Sequence, residues 1–145
     1  MTEPDFSALT ALNSLRCAVG VPEANDARGG SIGSAALLCL HEHGSPQKGI
    51  PARPLLEPAM DGAVESIAGA MREALLSALD GGSPRSALET AGQAAQAAVL
   101  AYYDAAPWPP NAPSTLSQKR GGAPLVETGT LRRAISYEVR QAGPK

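Results

Sequence analysis

The chain has 145 residues, with 12 Lys+Arg against 14 Asp+Glu and a formal net charge of −2. That length suits a single domain, 1–145, with a real core, and the charge is not that of a dedicated nucleic-acid binder, which is usually strongly basic. No run approaches the roughly 20 apolar residues that cross a bilayer, and the acidic start MTEPDF lacks the apolar stretch of a secretory signal.

The charge is unevenly placed. Residues 116–145 hold Lys119, Arg120, Arg132, Arg133, Arg140 and Lys145 against Glu127 and Glu138, so the tail is positive and the body before it negative. Aromatic residues are scarce: Phe6, Tyr102, Tyr103, Trp108 and Tyr137. Alanine is abundant, which points to helices packed closely through small side chains. The 15 Gly and 13 Pro require much loop and turn. Cys17 and Cys39 read as reduced, half-buried small hydrophobes.

In chain order, residues 5–19 read as a first helix, with Leu9, Leu12, Leu15, Arg16 and Val19 on one face and Asp5 or Ser7 near its cap. Residues 21–33 read as a loop or short hairpin around Pro22 and Gly29-Gly30-Ser31. A short helix over 34–41 ends at Gly44, which can supply a left-handed terminus. Four prolines, Pro46, Pro51, Pro54 and Pro58, make 45–58 an extended arm.

Residues 60–79 form an amphipathic helix through Val64, Ile67, Ala68, Met71, Leu75, Ala78 and Leu79, capped by Asp61 and stopped by Gly81-Gly82. Ser83-Pro84 opens a second helix to residue 104, striped by Leu88, Ala91, Ala95, Ala98, Val99 and Tyr102. Gly92, Ala94, Ala97 and Ala101 keep its neighbouring face thin. The short link makes the two an antiparallel pair. A second proline-rich arm, 107–123, follows. Leu131, Arg132 and Arg133 make one helical turn, and 134–140 alternate as a half-buried strand with Ile135, Tyr137 and Val139 inward. The fold class is α+β: two long antiparallel helices on a small, mostly antiparallel sheet, with extended proline-rich arms.

No constellation specifies catalysis. The sequence has no Gly-x-Ser-x-Gly elbow and no phosphate loop. His41 and His43 stand at i and i+2, which do not share a helix face as the i, i+4 pair of a zinc protease does. The reading therefore assigns no enzyme, cofactor or metal. The alternatives are a small metal-dependent hydrolase using Cys39, His41 and His43, and a DNA-packaging accessory contacting phosphates through the basic tail. Trp108, set in Pro107-Trp108-Pro109-Pro110, reads as an anchor for a hydrophobic patch on its own chain or a neighbour's.

Three blocks carry a resemblance. HEHG at 41–44 with IPARPLLEP at 50–58 is similar to a block HE-F-G … IPARPF-xxP. WPPNAPSTL at 108–116 is similar to PPLSPxTL. PLVETGTLRRAISYEV at 124–139 is similar to PLIDTGxLRxSIxYxV. Together they resemble the tailed-bacteriophage family called neck, tail-completion, minor tail component or virion morphogenesis protein. His43 stands where that family usually has an aromatic, and Leu55 where it usually has Phe.

The resemblance implies a structural virion protein, assembled in the host cytoplasm and joining head to tail. It implies a homo-oligomeric ring, sixfold or twelvefold, at the head–tail junction or the top of the tail. Its partners would be further copies of the chain, head-closure or portal-side proteins and tail-tube or terminator proteins. Genomic DNA would pass through the channel without sequence-specific contact, and no membrane would be involved. A ring needs one patch to fit a different patch on the next copy. The expected subunit-interface residues are Arg53, Pro54, Leu55, Trp108, Pro109, Pro110, Leu131, Arg132 and Arg133.

Overall fold

The structure, a computed structural model, describes residues 3, 6–26, 32–105 and 129–143. Along the chain run α1 (Ser7–Asn13), β1 (Leu15–Gly20), a 3-10 turn (Glu23–Asn25), α2 (Ser34–His43) and a second 3-10 turn (Pro46–Lys48). Then follow α3 (Leu56–Gly62), α4 (Val64–Leu79), α5 (Pro84–Ala105), a short α6 (Thr130–Ala134) and β2 (Ser136–Gln141). The fold is α+β, with the long helices α4 and α5 packed on each other and α5 laid across a two-stranded antiparallel sheet.

α5 is the axis of the molecule because its first turn is well started and one side of it is thin. Ser83 caps it, its hydroxyl accepting the N–H of Ser86 at 3.3 Å. Pro84 occupies the first helical position, where its missing N–H costs nothing. Ala87, Ala91, Gly92, Ala95, Val99 and Tyr103 are buried along it. At Gly92 the sheet comes closest: a Cβ there would overlap the Tyr137 ring and stand 2.9 Å from Cys17 Sγ. Leu15 pairs with Gln141, Cys17 with Val139 and Val19 with Tyr137. Thus Cys17, Val19, Tyr137 and Val139 form one face of the pleat, the one toward α5. Burial there pushes the Cys17 thiol pKa up, which keeps it protonated.

Two clusters make the core. The larger joins Leu38, Leu55, Ala59, Val99, Tyr103, Leu131 and Ile135. The smaller, at the other end of the helix pair, joins Ala8, Ala78 and Ala87, with Leu12 and Ala74 against them.

Several expectations are corrected. The first helix stops at Asn13, and Leu15–Gly20 is a strand. Ser14 closes the helix, its hydroxyl bonding to the Ala11 carbonyl at 2.7 Å, and the next six residues pair with β2. The helix read from residue 60 begins at Leu56 and breaks at Ala63 (φ −111°, ψ 6°), so Asp61 lies inside α3 and does not cap α4. Tyr103, not Tyr102, is the buried tyrosine of α5. The 45–58 stretch is not an arm reaching away from the body: Ser45 and Ile50 form a bridge around the 3-10 turn, and 51–55 run back along α2. Asp5, Ser31, the 107–123 arm with Trp108, Pro109 and Pro110, and Pro124 to Thr128 lie outside the described residues.

Candidate functional site

The residues expected at an interface gather around two junctions. The first ties α2 to the start of α3. Gly44 ends α2 with φ +69°, and its N–H reaches the Leu40 carbonyl at 2.7 Å. A Cβ at Gly44 would stand 2.7 Å from the Ala52 nitrogen and 2.8 Å from the Ile50 oxygen, so glycine lets the returning chain lie against the helix end. Arg53 then donates its backbone N–H to the His41 carbonyl at 2.6 Å.

Glu42 completes this junction. One carboxylate oxygen accepts the N–H groups of Leu55 (2.8 Å) and Leu56 (3.1 Å), and the other accepts that of Glu57 (3.1 Å). The next residue, Pro58, has no N–H to satisfy. All the donors that a helix start leaves unpaired are thereby accounted for, and the charge sits where the helix dipole favours an anion. The HEHG and IPARPLLEP blocks are one clasp: glutamate, glycine and proline each have a stated mechanical part in it.

The second junction ties α6 to the end of α5. Gly129 takes φ +66° at the start of α6. Arg132 donates from Nε and Nη2 to the two carboxylate oxygens of Asp104, at 2.8 and 2.7 Å. This two-pronged bond holds the Asp104 carboxyl below its ordinary pKa and raises that of Arg132. Beside it, burial pushes the Tyr103 hydroxyl up to about 12. Asn25 Nδ2 adds a bond to the Ala134 carbonyl at 3.2 Å, linking the loop after β1 to the same place.

These placements sort the expected interface residues. Leu55 (0 % exposed), Leu131 (4 %) and Arg53 (5 %) belong to the interior of the single chain and offer almost no surface to a neighbour. Burial also pushes the Arg53 guanidinium below its ordinary pKa. Pro54 and Arg133 are exposed, and Arg132 is half-exposed but committed to Asp104. Glu42 and Asp104, the acidic partners at the two junctions, carry no local sequence signal of these roles, because their partners lie 13 to 15 and 28 residues away.

The His-Glu-His triplet divides by helix geometry. His43 Nδ1 lies 3.1 Å from the Cys39 carbonyl and 3.8 Å from Cys39 Sγ, one turn back on α2. His41 points elsewhere and is half-buried. Among the described residues no group of three or more His, Cys, Asp or Glu is arranged to hold a metal ion. Among the same residues no helix is long and apolar enough to cross a membrane.

A groove of about 500 Å³ opens on the other side of the molecule, between α1, α4 and α5. Leu12, Leu15, Ala68, Met71, Leu75, Ala87 and Leu88 line it, with Arg72 at its edge. It exists because the apolar stripe of α4 is wider than what α5 covers: Val64 is 55 % and Met71 46 % exposed.

Comparison of the chain with protein-family models, with curated proteins and with solved structures finds no match.

Proposed function

We propose that the chain is a structural subunit of a tailed bacteriophage, a neck or tail-completion protein that joins head to tail as a homo-oligomeric ring. The resemblance carried by the three sequence blocks suggests the role. One observation supports taking the resemblance as more than a run of similar letters. Leu55 from the first block and Leu131 and Ile135 from the third, about 75 residues apart in sequence, meet in one core against Val99 and Tyr103. Residues from the first and third blocks therefore pack together in one core.

In this reading the body supplies a rigid platform, and the segment between α5 and α6 supplies the joining element. Its partners are further copies of the chain and the head-side and tail-side proteins of the particle. The test is to delete residues 108–116 in a phage that depends on this chain. Heads and tails should accumulate unjoined, while the purified variant keeps its helical circular dichroism. Joined, infectious particles from the deletion would overturn this assignment of the joining element.

A further inference from the structure

We infer that the groove between α1, α4 and α5 is the receptor for Trp108 of a second copy of this chain. The inference rests on the homo-oligomer part of the proposed function and not on a place in a virion.

The groove is apolar along its length, and its volume falls in the range of pockets that enclose a small ligand, about 300–1,000 Å³. That is room for an indole and the prolines beside it. Arg72 is the charged residue of its lining, and a guanidinium is the cation most often found stacked on an aromatic face. The other aromatic residues of the core side are already placed: Tyr103 is buried and Tyr137 lies on Gly92. Trp108 is the chain's sole tryptophan, and residues 105–118 around it carry no charge. Prolines on either side reduce the conformational freedom that docking must remove.

Chain length decides whose Trp108 fits. Trp108 is three residues beyond Ala105, the last residue of α5, so it can stand at most about 10 Å from that point. Ala87 and Leu88, in the groove, lie near the opposite end of the same helix. At 1.5 Å per residue they are about 25 Å from Ala105. A chain's own Trp108 cannot reach that end of the groove, whereas a neighbour's can. The contact is head-to-tail: the α5 C-terminal end of one copy meets the hairpin end of the next. Such a contact joins two different patches, so it propagates and closes into a ring when the rotation allows.

The single tryptophan makes the test direct. Emission of the full-length protein is followed with sedimentation from micromolar to millimolar concentration. Trp108 emission should move to the blue as the protein associates. Met71→Glu changes a half-exposed groove residue, and Trp108→Ala removes the anchor; each variant alone should stay monomeric. Mixed, they should form a 1:1 dimer and nothing larger, because only one groove and one tryptophan remain usable. Ala68→Glu, at another exposed groove position, serves if Met71→Glu fails to fold. Three results would overturn the inference: emission that stays water-exposed in the associated protein, blue emission independent of concentration, or variants that do not complement each other.

Discussion

Glu42 accepts the backbone N–H of Leu55 at 2.8 Å and reaches two further N–H groups of the same helix start from the end of another helix. It is a helix cap supplied across a turn of the chain, holding α2 and α3 in fixed relation so that Leu55 enters the core. Glu42→Ala should destabilise the fold by about 2 kcal/mol, toward the upper end for loss of a cap because three charge-assisted bonds are lost. Glu42→Gln, which keeps one accepting oxygen, should fall between the two. Urea denaturation of the three proteins checks the order.

Gly92 is expected to be intolerant of any side chain. Alanine is favoured in a helix over glycine by about 1 kcal/mol, but its Cβ here would overlap the Tyr137 ring and crowd Cys17. Overpacking of that kind costs about 1–3 kcal/mol, so Gly92→Ala should be net destabilising. Gly69, on α4 with open space around its Cβ position, is the control: Gly69→Ala should be neutral or stabilising. Thermal unfolding of both variants separates the effects.

The Asp104–Arg132 pair predicts an acid-labile component of stability. The native carboxyl titrates below its ordinary value of 3.8 because Arg132 bonds to it. A depressed carboxylate stabilises the fold above its ordinary value, and that contribution is lost as pH falls through the native one. Both side chains are about half exposed, so salt should weaken the effect. Denaturation midpoints measured against pH should fall more steeply on acidification for the wild type than for Asp104→Asn. The two curves should converge at low pH and draw together in high salt.

Tyr103 predicts the opposite limb. Burial raises its hydroxyl from 10.0 to about 12. A raised group contributes stability in full below pH 10, and that is lost as pH rises from there through about 12. Tyrosinate absorbance should show one tyrosine ionising late, together with loss of helical circular dichroism. Tyr103→Phe should remove that component.

The parts of the fold that could be read in the sequence are those governed by local rules. The α4–α5 hairpin follows from spaced apolar residues, the Ser83-Pro84 start and the Gly81-Gly82 stop; β2 follows from the alternation of Tyr137 and Val139, but it begins at Ser136, because Ala134 closes α6 and Ile135 caps it. β1 was hidden because Leu12, Leu15, Arg16 and Val19 also fit a helix period; six residues become a strand only when β2 pairs with them. The start of α3 was hidden because its cap comes from Glu42, more than a dozen residues earlier, where no neighbouring-residue rule looks. Leu55 and Leu131 read as contact residues for the same reason: an apolar residue in a proline-rich or short helical stretch does not say which core it enters. The Arg132 side chain was legible as basic, but its commitment to Asp104 depends on how α6 lands on α5.

The most direct test of the proposed role is cryo-electron microscopy of the head–tail junction in particles that contain this chain. The account predicts a ring of copies between portal and tail tube, each with α5 running toward its neighbour. Intact particles that lack the chain, or that carry it away from the junction, would contradict it.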